Sequence, residues 1–341
     1  MGRLRAMDGL CWEVTSCPLC GSREEEEVLT VRCPEGPCRL ARCLACGMTF
    51  TNPRVNEATI GLLYPDDYEP FQGPEDGRKA RAPGWLERLV LSRYHEYPPA
   101  QPGLLKGALA WLARPFVGPP RGSMTRLPYT GSGRLLELGC GSGWLAHRLA
   151  RMGWEVVPMD FSSHAVDQVR KRYGLEGIVG TLPHPRVEDG TFDAVTMGAV
   201  LEHVHDPHRM IAAAARALRP GGRMLIAVPN LDGWGFRTFG EDWHGLHLPH
   251  HLLHFTPETL TRLVRKHGLT VRSITLSERP GWLRRSVKLA ASKGKRLAWM
   301  LRSRLTLSLA ARWSGWTGQG DDMHLLAEKP AAGVVTSARA A

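Results

Sequence analysis

Three groups of residues in this chain have types and spacings suited to chemistry. The first is a pair of Cys-x-x-Cys-Gly segments, Cys17-Pro-Leu-Cys20-Gly21 and Cys43-Leu-Ala-Cys46-Gly47. Two such turns bring four thiolates together as tetrahedral zinc requires, and four protein ligands leave no open position, so the site they predict is structural. The glycine after each pair frees the turn. Cys33 and Cys38, on a Pro/Gly-rich stretch between the pairs, are alternative ligands that rank lower, because their wider gap does not form the same knuckle; Cys11 has no visible partner. The second group is Gly139-Cys-Gly141-Ser-Gly143, with Asp160 following Gly139 by 21 residues. Such glycines let the backbone bend sharply and approach a ligand, and the acid can accept both hydroxyls of a ribose. The third is His244, His247, His250, His251 and His254, five histidines within 11 residues. Their imidazoles suit proton transfer, a second metal site or plain capping of a loop.

Definite elements must position these groups. Leu135–Leu138 is a short apolar run that reads as a buried parallel strand entering the glycine turn, and Trp144–Met152 reads as the helix leaving it. A second strand, Glu155–Met159, ends at Asp160. Thr256-Pro257-Glu258 opens a helix with Thr as N-cap and Pro at its first position, so the histidines precede that helix on a loop. Later strands are expected at Thr270–Leu276 and Met323–Lys329. From Asn52 to Gly131 the pattern is weak: Pro and Gly recur, Tyr64-Pro-Asp-Asp-Tyr68 reads as a helix end and turn, and Trp85–Tyr94 and Leu104–Leu112 read as short helices. These pieces are expected to cover one face of the core or to line the substrate side.

The 341 residues, 43% of them hydrophobic, suffice for one large domain or two ordinary ones with a sizeable core. Met1–Val14 is too polar for a secretory signal, and no run approaches the roughly 18 apolar residues of a membrane span. A cytoplasmic protein is expected, in which the eight cysteines suit metal binding or free thiols better than disulfides. The net charge of +11 is concentrated: between Arg279 and Arg312 lie ten Lys/Arg and no Asp/Glu. Gly294 is expected to divide this basic stretch into two helices. Such a local field suits a phosphate-bearing partner, whether a nucleotide-linked substrate, a nucleic acid or a membrane surface; its plainer reading is a solvated helix face.

The succession of motifs resembles class I S-adenosylmethionine-dependent methyltransferases, in particular the group that includes the ubiquinone-biosynthesis enzymes. Glu137-Leu-Gly139-Cys-Gly141-Ser-Gly143 is similar to their first motif and Asp160-Phe-Ser to the acidic end of their second strand. Thr191-Phe-Asp193-Ala-Val and Val200-Leu-Glu202-His203-Val resemble their fourth strand and the turn after it, and Leu218-Arg-Pro220-Gly221-Gly222 through Pro229-Asn230 their fifth strand. The resemblance covers about 131–278 and the last strand, and departs from the family in Glu137, where Asp is commoner, and Thr181, where many relatives have Asp.

The resemblance implies a Rossmann-like doubly wound α/β sheet of seven strands with the last antiparallel, here preceded by a zinc-ribbon module. It divides the chain into 1–55 (zinc module), 56–130 (linker and helical cover), 131–330 (core, with a basic helical insertion at 279–320) and a tail at 331–341. It assigns Glu137, Gly139, Gly141 and Gly143 to the amino-acid half of S-adenosylmethionine, Asp160 to its ribose, Phe161, Thr181 and Leu182 to its adenine, and Met197 and Gly198 to the region of the reacting carbon. Cys17, Cys20, Cys43 and Cys46 would hold structural zinc. The Pro249-x-His251-x-x-His254-Phe255 pattern resembles one in relatives with the same Cys-rich N-terminus. This favours His251 and His254 as catalytic, with His203 of the ubiquinone-type motif as a further candidate. The implied activity is methyl transfer to a small molecule: a sugar, a nucleotide-sugar or a natural-product intermediate, with phosphate-bearing acceptors among them. The alternative is an RNA methyltransferase acting on ribosomal bases, which the basic segment suits but the scarcity of aromatic residues among its charges does not. Peripheral membrane contact through 279–312 is the remaining partner expectation.

Overall fold

The structure, a computed structural model, describes residues 9–33, 35–72, 82–98, 124–295, 301 and 303–331. The helix expected at Leu104–Leu112 lies outside the described residues. The N-terminal part is built from β1 (Trp12–Glu13), β2 (Glu25–Cys33), β3 (Gly36–Cys43), β4 (Thr49–Thr51) and β5 (Arg54–Val55). The first and last of these pair with each other, while β2, β3 and β4 form an antiparallel meander. The cysteine knuckles occupy the turns before β2 and after β3, with Gly21 and Gly47 at φ 79° and 74°, a region that favours glycine. One expectation is corrected. Cys33 and Cys38 are bonded to each other, because the β2–β3 register pairs Val31 with Cys38 and Cys33 with Gly36 and so brings both sulfurs to the hairpin tip.

Two short helices follow, α1 (Glu69–Gln72) and α2 (Trp85–Tyr94), before the main sheet begins. The elements then run β6 (Arg134–Leu138), α3 (Trp144–Ala150), β7 (Glu155–Asp160), α4 (Ser163–Tyr173), β8 (Ile178–Val179), β9 (Phe192–Gly198), α5 (Pro207–Ala217) and β10 (Leu218–Pro229). They continue as α6 (Trp234–Phe239), β11 (Leu253–His254), α7 (Pro257–Lys266), β12 (Thr270–Ser277), α8 (Pro280–Ser292), α9 (Arg304–Trp316) and β13 (Asp322–Glu328). Seven of these strands form the sheet β12-β13-β10-β9-β6-β7-β8. Strands β6 to β10 are parallel and β13 is antiparallel to both neighbours, as the motif succession predicts.

The central strands are apolar on both faces because helices cover both. Helix α5 starts at the Asp206 cap with Pro207 at its first turn, and buries Met210, Ile211, Ala214 and Ala217. Helix α7 opens at Thr256 as predicted, with Thr256 and Thr259 capping each other. Helices α8 and α9 lie on either side of Gly294, which has φ 75°. From β6 the chain winds outward to β8 and returns to β9 on the other side of β6. This reversal opens a crevice at the carboxyl ends of β6 and β9, where doubly wound sheets bind ligands.

The N-terminal meander does not stand apart from this core. Strand β11, from the histidine loop, adds to its edge: Leu253 pairs with Phe50 and His254 with Thr49, giving the sheet β11-β4-β3-β2. The Thr51 amide donates to the Leu252 carbonyl at 2.9 Å, and the Thr51 hydroxyl donates to the His251 carbonyl at 2.8 Å. Met48, Phe50, Leu252, Leu253 and Phe255 are buried in one cluster with the core. A buried side chain of this size contributes about 1.5–3 kcal/mol, so the cysteine turns and the histidine loop stabilise one another. Cys43→Ser is accordingly expected to raise amide exchange at least tenfold both at 49–51 and at 253–254. Hydrogen-exchange mass spectrometry would read this, and loss of protection confined to 17–46 would contradict the coupling.

Candidate active site

The first half of the site is the glycine turn between β6 and α3. Gly139, Gly141 and Gly143 have φ of 68°, 49° and 74°. A Cβ on Gly139 would lie 2.3 Å from Val200 Cγ2 and one on Gly143 would lie 2.5 Å from Val169 Cγ2, so glycine is required twice over. Asp160, at the end of β7, accepts from the Gly141 amide at 2.9 Å and from the Ser162 amide at 3.0 Å. Burial pushes its carboxyl up, against the pull of these amides. Glu137 is buried behind it, and burial together with the Asp160 charge holds its carboxyl well above the ordinary range. The Glu137 Oε2 atom is buried with no hydrogen-bond partner. Two buried carboxylates beside a glycine cradle fit a ligand carrying ammonium and sulfonium charges, which the donor named by the resemblance carries. Phe161 is half-exposed beside Asp160, Leu182 is buried and Thr181 exposed. Met197 is buried in β9, and Gly198 ends that strand against the Met124 and Leu145 side chains.

The second half gathers at the exit of β9. Ala199 has φ 55°, a strained value for a non-glycine residue. It leads into a 3₁₀ turn, Leu201–His203, that points Glu202 into the interior. Neither Glu202 carboxylate oxygen has a hydrogen-bond partner, and burial pushes its carboxyl up to about 8. Around it stand imidazoles. The His203 and His251 ring centroids are 4.6 Å apart, and His247 is stacked on His250 at 4.4 Å. Burial holds His203 down to about 4 and His247 and His254 down to about 3, so these rings are neutral at physiological pH. His247 has φ 38°, a second strained non-glycine residue.

Hydrogen bonds decide which ring nitrogens carry protons. His251 Nδ1 lies 2.9 Å from the Gly245 carbonyl, and His203 Nδ1 lies 3.0 Å from the His250 carbonyl. A carbonyl only accepts, so both Nδ1 atoms are protonated and both Nε2 atoms keep a lone pair. The Tyr64 hydroxyl, 2.9 Å from His203 Nδ1, then accepts from the same N–H, which leaves its own proton free to donate. His254 differs from the others: its Nε2 is 3.1 Å from the Thr51 hydroxyl, inside the join between the two sheets.

The composition of the linker gave little sign of what covers this cluster. Tyr64, Tyr68 and Phe71 lie over it, with Tyr64 edge-on to Phe161 at 5.2 Å and Tyr68 stacked on His250 at 5.6 Å. The Pro70 carbonyl accepts from the Ser142 amide of the glycine turn at 2.9 Å. The linker thus covers the glycine turn and the histidine cluster. The i, i+4 spacing of Tyr64 and Tyr68 is the sequence signal that could have marked them. Glu202 appeared in the sequence only as part of a motif and not as a site residue.

Residues 107–274 match a family described as a methyltransferase domain. Over 164 residues the chain is 34% identical to the ubiquinone biosynthesis O-methyltransferase of Xanthomonas euvesicatoria, covering 44% of this chain and 68% of that protein. The ubiquinone biosynthesis O-methyltransferase of Thiobacillus denitrificans is 31% identical over 163 residues, covering 44% of this chain and 70% of that one. This chain belongs to the S-adenosylmethionine-dependent methyltransferases. Among solved structures, an S-adenosylmethionine-dependent methyltransferase from Mesorhizobium loti aligns at 16% identity and a TM-score of 0.42, covering 61% of this chain and 98% of that one.

Two other features of the methyltransferase bear on its ligands. Cys17 and Cys46 sulfurs are 3.5 Å apart, as are those of Cys20 and Cys43, and all four lie within 4.8 Å of one another. Zinc–thiolate bonds of about 2.3 Å at tetrahedral angles set sulfurs about 3.8 Å apart, so the four thiols fit zinc. The basic segment is less of a free field than its composition implies. Arg279 pairs with Asp322 at 2.7 Å, Arg285 with Glu69 at 2.8 Å, and Lys293 and Lys295 with Asp242 at 2.7 and 2.6 Å. Helix α8 packs Leu283, Val287 and Ala290 against Phe239, Trp243 and Leu246, leaving Arg284 and Lys288 exposed. Among the described residues no helix is long and apolar enough to cross a membrane.

Replacing Asp160 by Ala removes charge-assisted contacts worth about 1.5–3 kcal/mol. Calorimetry is expected to show S-adenosylmethionine binding roughly 10- to 100-fold weaker, and unchanged affinity would remove Asp160 from the donor site.

Proposed function

We propose that this methyltransferase methylates a small-molecule acceptor, a sugar, nucleotide-sugar or natural-product intermediate, with His203 as the proton acceptor. The observation that carries this reading is the tautomer of His203. Its Nδ1–H is held by the His250 carbonyl, so a neutral Nε2 lone pair stands beside the β9 exit, in the turn after Val200, whose side chain closes on Gly139. The relatives' printed activity, an O-methyltransferase of ubiquinone biosynthesis, supports a small acceptor.

S-adenosylmethionine supplies a methyl group already activated by its sulfonium. The chain's task is therefore to align the acceptor, to exclude water and to take a proton. Glu137 and Asp160 hold the donor's charge and ribose, with Gly139, Gly141 and Gly143 admitting its backbone-close half. Phe161, Thr181 and Leu182 border the adenine, while Met197 and Gly198 face the reacting carbon. Tyr64 and Tyr68 close the site over the acceptor. His251 supports Glu202 and His203, and His254 with Thr51 holds the loop in register. Zinc in the Cys17, Cys20, Cys43 and Cys46 cage keeps the edge strand in place, remote from the chemistry.

Transfer of labelled methyl from S-adenosylmethionine to a panel of nucleotide-linked sugars and phenolic intermediates tests the reading. With the acceptor found, His203→Ala is expected to lower kcat by about 10²–10³-fold, in the range of general-base catalysis, with the donor Kd changed less than about twofold. An undiminished kcat would exclude His203 as the base.

A further inference from the structure

We propose that His324 and Asp322 form the specificity subsite of the methyl-transfer site and read two hydroxyl groups of a sugar-type acceptor, with Arg279 fixing Asp322 in place. Strand register puts the pair at the reacting end of the sheet. Gly198 pairs with Ala227, Ala227 with His324 and His324 with Thr275, so these residues form one row across β9, β10, β13 and β12, all facing the same side. Neighbouring strands stand about 4.8 Å apart, which sets His324 roughly 10 Å from Gly198 along the row. The row passes from glycine through alanine to histidine, so the imidazole is the first bulky polar group met from the donor side.

The hydrogen bonding of the pair is incomplete in one direction. His324 and Asp322 are 6% and 2% exposed. His324 Nε2 lies 2.8 Å from Asp322 Oδ2. A carboxylate only accepts, so Nε2 carries the proton, and the neutral ring keeps a lone pair on Nδ1. That Nδ1 and Asp322 Oδ1 are both buried with no hydrogen-bond partner. Both are acceptors, so both need a donor. The charge, by contrast, is already balanced. Arg279 Nε donates to Asp322 Oδ2 at 2.7 Å, and the Arg279 guanidinium stacks on Trp282 at 4.9 Å from the ring centroid. Burial would push the Asp322 carboxyl up, but the His324 N–H and the Arg279 guanidinium hold it below its ordinary range. A pair neutralised in this way suits uncharged O–H donors better than an ammonium group. One hydroxyl donates one hydrogen, so two unpartnered acceptors on one bonded pair suit two hydroxyls of one molecule, as a sugar ring presents them. Asp322 and Arg279 also act electrostatically on Glu202, which sets the pair within range of the histidine half of the site.

The subsite narrows the proposed function to a polyhydroxylated acceptor, and it rests on the reading of Gly198 as a border of the reacting carbon. His203 takes the proton of the hydroxyl that is methylated, while His324 and Asp322 hold two hydroxyls that are not. The reacting oxygen forms the new O–C bond with a lone pair as the S–C bond breaks and its electron pair returns to sulfur. A thioether and a methyl ether result, and His324 and Asp322 keep their own protonation states throughout. They select by accepting hydrogen bonds. An acceptor that lacks either hydroxyl leaves Nδ1 or Oδ1 buried and unpaired, and sites built to bond a hydroxyl reject such analogues by about 10⁴-fold. A phenol with a single hydroxyl is excluded on the same ground.

The test uses the full-length protein, saturated with S-adenosylhomocysteine and isotope-labelled at the histidine nitrogens, and follows His324 Nδ1 by nuclear magnetic resonance. The signal is assigned by its loss in His324→Gln, whose amide N–H can still reach Asp322. The probes are methyl hexosides, uridine-diphosphate hexoses, the monodeoxy analogues of both, and phenol. At least one sugar probe is expected to move the Nδ1 signal, and its monodeoxy analogue to bind about 100-fold more weakly or worse. In turnover, the wild type is expected to prefer that sugar over the analogue by about 100-fold or more in kcat/KM, and His324→Gln by less than about threefold. The donor Kd of the variant reports whether it is folded. An Nδ1 signal that no sugar probe moves would overturn the proposal. So would a variant that loses turnover of sugar and analogue equally, because a merely structural histidine leaves the preference intact. Methyl transfer to phenol with the His324 signal unmoved would discard the subsite and keep the proposed function. A sugar-dependent shift without methyl transfer would keep the subsite and discard the function.

Discussion

A buried carboxylate with no hydrogen bond is among the costliest groups a protein interior can hold, at several kcal/mol if ionised. Glu202 is such a group, and much of this molecule is arranged around it. The chain reaches it through Ala199 at a positive φ, so the exit of β9 is strained in order to turn Glu202 inward. The imidazoles beside it are neutral because burial keeps them so. All but His203 are carried on a loop that hydrogen bonds from the Thr51 amide and hydroxyl tie to the cysteine-bearing sheet. Donor turn, acidic turn, histidine loop and cysteine turns thus form one chain of mechanical support that ends at one carboxylate.

How much of this the sequence discloses depends on how local each part is. The donor half is contiguous: strand, glycine turn, helix and acid follow in order between Arg134 and Asp160, and the strain of three glycines at positive φ is written as three glycines. The order of the seven-stranded sheet follows from the same run of motifs. The histidine half of the site is assembled from 64–72, 199–203 and 244–254, which meet only in three dimensions. In sequence it shows as residue types without partners. Tyr64 and Tyr68 pass for linker residues, and Glu202 for a motif letter. His254 looks equivalent to His251 until its ring is seen against Thr51. Disulfide formation at Cys33 and Cys38 depends on hairpin register, which composition does not reveal.

The basic segment shows the same difference between counting charges and locating them. Along the chain no acid falls among its ten cations, but folding brings Glu69, Glu241, Asp242 and Asp322 to four of them. Arg285 in particular spans from α8 to Glu69 and to His244 Nε2, at 2.8 and 3.1 Å. It joins the helical insertion to the aromatic cover of the site. The insertion therefore meets the rim of the site through a specific ion pair, whereas its remaining exposed charges are screened within about a Debye length of 8–10 Å.

The sheet shared by β4 and β11 also constrains how this architecture can change over evolution. A module joined by a flexible linker can be gained, lost or exchanged between cores as a cassette. Here the outer rim of the module is supplied by a strand about 200 residues further along the chain, so neither sequence segment is complete without the other. A core cut free at residue 56 would expose the main-chain edge of β11, a site for unwanted strand pairing, together with the apolar surface that Met48 and Phe50 now cover. Loss or replacement of the cysteine module would have to be matched by rebuilding of the histidine loop, and the two segments are expected to be inherited as a unit.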